Sequence, residues 1–121
     1  MPRFVLLEHH WDGVHWDFML ENGNVLRTWA IDVPIVAGQD LAARALPDHR
    51  LVYLDYEGEI SGNRGKVKRL DSGTYEALEW SADRVRVRLA GSQLAGEVEL
   101  RVSGSDSGAL ADWIFRMGNF D

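Results

Sequence analysis

Alternating apolar and polar residues, in short runs separated by turn residues, recur along the whole chain. The clearest run is 83–90, where Val85, Val87 and Leu89 alternate with arginines. A period of two places successive side chains on opposite faces of a β-strand. No low-complexity linker or convincing repeat interrupts the series. The pattern predicts a mostly β barrel or sandwich with little helix.

The runs and turns also predict individual strands and the direction of their side chains. The predicted strands are 3–8, 14–20, 25–31, 50–56, 66–70, 83–90, 97–102 and 110–117, with turns at 12–13 and 71–73 and a polar loop at 103–108. Residues 37–46 fit either a helical turn or a strand and are left unassigned. The residues expected in the core are Trp16, Phe18, Val85, Val87 and Trp113. Those expected in solvent are Arg84, Arg86 and Arg88, with Glu97 and Glu99 as partners.

Length and composition restrict the class of protein. A chain of 121 residues fits one core, so we predict a single domain over 1–121 and a monomer. No segment can span a bilayer and the first residues lack signal-peptide zones, which predicts a cytoplasmic protein with no membrane partner. Without cysteine, a metal would need imidazole and carboxylate ligands. A net charge of -6 opposes non-specific duplex binding but permits local contact with one nucleic-acid end.

One strand carries a candidate metal site. His15 and Asp17 lie on the same face of strand 14–20, about 7 Å apart along the strand, and suit Mn, Zn, Fe or Ni. The third ligand is His9 or His10. A two-residue turn would place His10 opposite His15, whereas a longer loop favours His9. The alternative interpretation is a solvated polar face.

Other polar and aromatic residues have no role on their pattern alone. His49, at the start of a predicted strand, is typical of a surface residue or local hydrogen-bonder, and Tyr53 is typical of half-buried packing. Among the five tryptophans, only Trp11 lies in a loop beside the candidate metal site, where it could stack on a base.

Four strings, taken in order, resemble a known family. They are Phe4-Val5-Leu6-Leu7-Glu8-His9-His10, Val14-His15-Trp16-Asp17-Phe18-Met19-Leu20-Glu21, Leu26-Arg27-Thr28-Trp29-Ala30 and Asp48-His49-Arg50-Leu51-Val52-Tyr53. They are similar to the 3′-phosphoesterase domain of bacterial DNA ligase D. The similarity continues through Tyr56-Glu57-Gly58 and Asp71-Ser72-Gly73-Thr74-Tyr75, and so covers roughly the first two thirds of the chain.

The resemblance implies a small closed antiparallel β-barrel with an active site on its outer surface. It implies that His9, His15 and Asp17 bind the metal, that His49 engages the scissile phosphate, and that Tyr53 assists there. The implied reaction is manganese-dependent removal of a phosphate or ribonucleoside from a nucleic-acid 3′ end, leaving a 3′-hydroxyl. The implied partners are that 3′ end and a repair ligase or polymerase.

Three positions depart from the family pattern and remove polar groups that would bind phosphate. They are Leu7, Met19 and Val33, where the family has glutamine, arginine and lysine. Unless Arg27, Arg50 or Arg64 compensates, we predict weak activity that Met19→Arg improves. Two alternative functions remain: a non-catalytic module that binds a metal or a nucleic-acid end in DNA repair, and a hydrolase of small phosphate esters.

Overall fold

The structure, a computed structural model, describes residues 1–103 and 113–118. In these ranges it has nine strands and a short 3₁₀ helix, Leu51–Leu54. The strands are β1 (Arg3–His10), β2 (Val14–Asn22), β3 (Val25–Ile31), β4 (Asp40–Arg50), β5 (Gly58–Glu59), β6 (Lys66–Trp80), β7 (Arg84–Gly91), β8 (Ala95–Val102) and β9 (Trp113–Met117). The order β1-β2-β3-β4-β9-β8-β7-β6 is closed by pairing of β6 with β1. The prediction of a closed antiparallel barrel with little helix is confirmed.

The inside of the barrel holds the main hydrophobic core. The five residues predicted to face inward are all buried there, so alternation gave their direction correctly. Phe18 packs edge-on against Phe115, with 5.3 Å between ring centroids, and Trp29 packs against Trp113 at 5.6 Å. Burial of these large aromatic surfaces is a major favourable contribution to folding.

A second apolar group, which we call the outer cluster, lies outside the barrel. Its buried members are Val5, Leu7, Met19, Leu26, Leu54, Ile60 and Val67. Leu54 comes from the 3₁₀ helix and Ile60 from the loop after β5, so these two segments cover the outer faces of the strands beneath them. The apolar stretch at the start of β1 is therefore buried on both faces.

The predicted strand over 50–56 is wrong. β4 ends at Arg50 and the chain continues as the 3₁₀ helix. A 3₁₀ helix repeats every three residues, so Leu51 and Leu54 lie on one side of it, and both contact the outer cluster. Packing on the barrel surface has decided the local conformation here.

The predicted turn at 71–73 is also wrong, because β6 runs without a break from Lys66 to Trp80. The buried Asp71 carboxylate accepts hydrogen bonds from the backbone N–H groups of Ser92, Gln93 and Leu94. Asp71 thus stabilises the turn between β7 and β8 instead of forming one of its own. The unassigned segment 37–46 belongs largely to β4.

The outer side of β7 and β8 carries a ladder of ion pairs, which we call the arginine–glutamate face. Arg84 pairs with Glu99 at 2.6 Å, Arg86 with Glu97 at 3.1 Å, and Arg88 with Glu76 of β6 at 2.8 Å. This confirms the predicted outward direction of the three arginines and the predicted partners of Arg84 and Arg86, whereas the partner of Arg88, Glu76, was not predicted.

Part of the predicted C-terminal structure lies outside the described residues. Most of the predicted loop at 103–108 and the beginning of the predicted strand at 110 lie outside the described residues, while the rest of that strand is β9. Within the described residues, no helix is long and apolar enough to cross a membrane.

Candidate metal centre

The hairpin between β1 and β2 sets the register of the candidate ligands. Its loop has three residues, 11–13, with Asp12 at φ 53° and Gly13 at φ 99°. Positive φ at these positions is typical of Asp and Gly in hairpin loops. His9 therefore pairs with His15, and His10 pairs with Val14. Of the two alternatives left by the sequence, the structure has the longer loop.

Three possible metal ligands meet on the outer side of this hairpin. His9 Nδ1 lies 3.2 Å from His15 Nε2 and 3.5 Å from Asp17 Oδ2. His15 Nε2 lies 3.2 Å from Asp17 Oδ1. Asp17 is almost fully buried, while both histidines are partly exposed. His10 takes no part, since its Nε2 contacts the Glu8 carboxylate at 2.7 Å.

The loop before β6 fixes the orientation of the His9 ring. His9 Nε2 lies 2.9 Å from the Arg64 carbonyl oxygen, and because a carbonyl only accepts, Nε2 carries the proton and neutral His9 offers the Nδ1 lone pair to the site. Gly65 permits this approach: its φ is 78°, and a Cβ there would lie 1.9 Å from the His10 carbonyl oxygen. A hydrogen bond from the second imidazole nitrogen to a carbonyl is the usual support of a metal-binding histidine.

The electrostatics of the three groups favour an anionic Asp17. The hydrogen bond with Asp17 raises the pKa of His9, burial opposes it, and the Arg64 carbonyl adds to the increase. Burial is the largest influence on Asp17 and would raise the pKa of its carboxyl, but the contacts with His15 and His9 together lower that pKa below its ordinary value. A buried carboxylate that stays ionised is suited to bind a cation.

The donor geometry also fits a divalent cation. A cation about 2.0–2.2 Å from each ligand holds the ligand atoms about 3–3.5 Å apart, close to the separations of 3.2 and 3.5 Å found here. Asp17 Oδ1 is buried and has no hydrogen bond to the described residues, although it lies near His15. An ion would satisfy this oxygen, and three ligands leave coordination positions for water or substrate oxygens.

The three groups open into a pocket of about 270 Å³ on the outer surface of the barrel. Its walls bring the candidate metal ligands together with the two other residues that the resemblance indicated. The lining residues are Leu7, His9, Trp11, His15, Asp17, Met19, Ala30, Arg44, Leu46, His49, Tyr53, Ile60, Arg64 and Val67. Trp11 stands at the hairpin loop, half exposed, with its ring stacked on that of His9 at 6.0 Å.

A β-bulge directs His49 towards the pocket. The register between β3 and β4 shifts between Leu26 and Thr28, so that one residue of β3 faces two of β4, Pro47 and Asp48. Proline is tolerated in a strand at such a bulge, and the extra residue reverses the direction of the side chains that follow. His49 Nδ1 donates to the Pro47 carbonyl oxygen at 2.8 Å, which leaves Nε2 available.

Tyr53 reaches the same pocket from the 3₁₀ helix and not from a strand. Its ring packs edge-on against His49 and against Tyr56, with 5.9 Å between centroids in each pair. Tyr53 therefore lines the pocket from a 3₁₀ helix at residues that the sequence pattern had predicted as a strand.

The sequence reasoning missed one arginine of the pocket. Of the three arginines considered as substitutes for Met19, only Arg64 lines the pocket. Arg27 packs over the rings of Trp29 and Trp113, and Arg50 over Tyr53. Arg44, in the segment left unassigned, lines the pocket as well. Had 37–46 been predicted as a strand paired with β3, Arg44 could have been placed near the candidate metal ligands.

Comparison with known proteins decides the family. A family model described as the DNA ligase D 3′-phosphoesterase domain matches residues 7–101, most of the chain. This chain belongs to that family. The resemblance carried by the four strings is thereby confirmed, and the matched range contains all five candidate residues named from it.

Curated relatives in this family come from mycobacteria. The multifunctional non-homologous end joining protein LigD of Mycobacterium bovis is 36% identical over 106 residues, covering 80% of this chain and 14% of that protein. The LigD protein of Mycobacterium tuberculosis gives the same values, and that of Mycolicibacterium smegmatis is 33% identical over 79 residues, covering 61% of this chain and 10% of its own length. The chain thus spans about one seventh or less of the relatives' length.

The three departures from the family pattern have structural consequences. Leu7 and Met19 are fully buried members of the outer cluster, and both contribute to the pocket wall. Val33 is exposed in the loop between β3 and β4. Because thioether and aliphatic side chains donate no hydrogen bond, this wall of the pocket is apolar where the family pattern is polar.

Proposed function

We propose that this chain is a metal-dependent 3′-phosphoesterase that removes a phosphate or ribonucleoside from a nucleic-acid 3′ end and leaves a 3′-hydroxyl. The observation that carries the proposal is the meeting, in one pocket, of three donor atoms within 4.8 Å of one another with His49 and Tyr53. The family match supports the reaction class. The names of the relatives place them in non-homologous end joining and DNA repair, and we propose that setting for this chain, beside a repair ligase or polymerase.

His9, His15 and Asp17 would hold the cation, for which we propose Mn²⁺. When bound, the cation supplies charge neutralisation and polarisation of the phosphoryl oxygen. The Arg64 carbonyl keeps His9 in the tautomer that presents Nδ1, and the low pKa of Asp17 keeps that carboxyl ionised.

His49 is proposed to act on the phosphate itself. With Nδ1 held by the Pro47 carbonyl, a protonated His49 would donate from Nε2 to a phosphoryl oxygen. Tyr53, packed against the His49 ring, limits the directions that this ring can take. In the hydrolysis of a 3′-phosphate, a water oxygen bonds to phosphorus and gives up a proton, the bond from phosphorus to the 3′ oxygen breaks, and that oxygen gains a proton. For a terminal ribonucleoside, attack of water on phosphorus first breaks the bond to the 5′ oxygen of that nucleoside, and the 3′-phosphate left on the primer is then removed by the first reaction.

A second candidate is a non-catalytic module that binds a metal or a nucleic-acid end. The observation in its favour is the apolar wall formed by Leu7 and Met19, which gives a phosphate no hydrogen-bond donor. The two candidates differ in turnover, and turnover is what the experiment measures.

The test uses a primer ending in a 3′-phosphate or a 3′-ribonucleotide, with Mn²⁺ or with a chelator. We expect the first primer to be converted to a 3′-hydroxyl, and the second to be shortened by its terminal ribonucleoside, only with Mn²⁺. His9→Ala should lose activity through weaker metal binding. His49→Gln should lower kcat by about 10² to 10³-fold at an unchanged affinity for the metal.

The matched control is His10→Ala, because His10 lies beside His9 in sequence but outside the pocket. This variant should behave like the unmodified protein. Turnover in excess chelator, or turnover indifferent to His49→Gln, would contradict the proposed mechanism. Metal binding without turnover on either primer would favour the binding module.

A further inference from the structure

Arg44 and Asp17 lie in the same cross-strand row on the outer surface of the barrel. Asp17 of β2 pairs with Ala30 of β3, and Ala30 pairs with Arg44 of β4. Paired residues share a face of the sheet. Asp17 and Arg44 are two strand spacings apart, which corresponds to about 9.6 Å between their backbones. Ala30, a small and fully buried residue, is the floor between them. An arginine is long enough to reach across such a gap towards a group bound at Asp17.

Arg44 lines the pocket, and its guanidinium has one donor without a partner in the described ranges. Its Nε is buried and has no hydrogen-bond partner among the described residues. Its other end bonds the Asp32 carboxylate, with 2.9 Å between NH2 and Oδ1. Asp32 is exposed, with 60% of its side chain accessible, so solvent screens this pair and its contribution to stability is small. A buried donor without a partner is costly, and a bound anion would satisfy it.

The other arginines near the pocket are committed elsewhere. Arg64 donates from Nε to the Ser61 carbonyl oxygen at 2.8 Å, which holds its side chain along its own loop. Arg27 packs on two tryptophan rings in the barrel. Arg44 therefore combines a place beside the candidate metal ligands with a free, buried N–H group.

We propose that Arg44 binds the phosphoryl group at the end of the nucleic acid, from the side of the pocket opposite the His9 and His15 ligands. The proposal rests on the function proposed above and deepens it: Arg44 supplies the charge-assisted hydrogen bond that Met19 cannot. This contact with Arg44 makes the pocket bind a nucleic-acid end with a 3′-phosphate more tightly than one with a 3′-hydroxyl. Asp32 competes with the phosphate for the same guanidinium.

The experiment compares binding of two primers, one with a 3′-phosphate and one with a 3′-hydroxyl, by fluorescence anisotropy. The full chain is used in excess chelator, so that no turnover alters the phosphorylated primer. The ratio of the two dissociation constants measures the contact with phosphate. The unmodified protein should prefer the phosphorylated primer, and Arg44→Gln should reduce that preference about tenfold or more. Arg44→Lys should recover part of it, since lysine keeps the charge but lacks the planar set of donors.

Two further variants separate phosphate binding from a structural ion pair. Asp32→Asn breaks the same pair as Arg44→Gln but releases the guanidinium, so it should strengthen the preference for phosphate. Arg116→Gln removes one positive charge from β9, where Arg116 pairs with Asp40 at 3.0 Å outside the pocket, and should leave the preference unchanged. Circular dichroism melting checks that each variant is folded.

Each result has a defined meaning. Equal effects of Arg44→Gln and Asp32→Asn, or no preference for phosphate in the unmodified protein, would overturn the role of Arg44. If Mn²⁺-dependent turnover persists while Arg44→Gln changes neither the binding ratio nor KM, this inference fails and the proposed function stands. If the preference depends on Arg44 but no primer is ever converted, the inference stands and the phosphoesterase proposal fails.

Discussion

The pocket and the arginine–glutamate face are both built on outward-facing residues of strands, yet their charges have opposite surroundings. On the arginine–glutamate face, each of Arg84, Arg86 and Arg88 has a glutamate within 3.1 Å. In the pocket, Asp17 Oδ1 and Arg44 Nε are buried without a hydrogen bond to the described residues. The first surface pairs each of these arginines with a glutamate, whereas in the second Asp17 and Arg44, although each contacts a charged or ionisable neighbour, keep one buried polar atom without a hydrogen bond in the described part of the chain.

The cause of the difference is the cover over one side of the barrel. The 3₁₀ helix and the loop after β5 pack on the outer cluster and exclude water from the strands beneath. Exclusion of water strengthens electrostatic interactions and makes unsatisfied polar groups costly. Identical strand alternation thus yields a solvated ladder of ion pairs on one side and a site suited to bind an ion and an anion on the other.

The largest expected effect is on metal binding at Asp17. Asp17→Asn keeps the shape of the side chain but removes the anion that contacts both histidines. We expect the affinity for Mn²⁺, measured by isothermal titration calorimetry, to fall by at least about 100-fold. The comparison is with Glu99→Gln, a neutralised carboxylate on the arginine–glutamate face. Equal metal affinity in both variants would show that the pocket is not the metal site.

The next effect is on the cover. Leu54→Ala removes a buried side chain through which the 3₁₀ helix packs on the outer cluster. Truncation of a buried leucine typically costs about 2–4 kcal/mol of unfolding free energy, which denaturant unfolding would measure. The affinity for Mn²⁺ should change far less than in Asp17→Asn, because the ligands lie on the β1–β2 hairpin. An unchanged stability would mean that the cover is not packed as described.

A smaller effect concerns pH. The raised pKa of His9 means that the protonated ring is stabilised by its contact with Asp17. In chelator, this stabilisation should be complete below the unfolded-state pKa of about 6.5 and should be lost as pH rises through the higher folded pKa. A metal requires the His9 proton to leave, so affinity for Mn²⁺ should increase over the same range.

Melting temperatures measured from about pH 5.5 to 8.5, on both sides of the ordinary histidine pKa, would test this prediction. With rising pH, the His9 contribution to stability in chelator should fall, while the stabilisation by Mn²⁺ should increase. His9→Gln serves as the control, since it should remove the His9 contribution in chelator and weaken the stabilisation by Mn²⁺. Parallel pH profiles with and without metal would contradict the coupling of His9 to the ion.

The smallest effect is expected on the arginine–glutamate face. Arg88 and Glu76 are both exposed, with 58% and 59% of their side chains accessible, and exposed ion pairs contribute little because water and salt screen them. Arg88→Gln should leave the melting temperature within about 2 °C of the unmodified protein. A large loss of stability here would mean that the two surfaces differ less than their geometry indicates.

Much of the barrel and the family could be predicted from the sequence because the relevant signals are local. Alternation placed Trp16, Phe18 and Val85 inside and the arginines outside, since it reflects the period of a single strand. The ordered strings containing His9, His15 and Asp17 indicated the family that the comparison confirmed. The roles of these residues, with those of His49 and Tyr53, stay predictions to be tested by the experiments above.

Tertiary structure decided what depends on pairing between distant segments. The hairpin register selected His9 over His10, the bulge at Pro47 directed His49 into the pocket, and packing on the outer cluster made a 3₁₀ helix of a predicted strand. Arg44 became part of the pocket only through its pairing with Ala30. A strand's own residues determine its periodicity, but the neighbour across the sheet and the water excluded above it determine which side chains meet and which donors are left free.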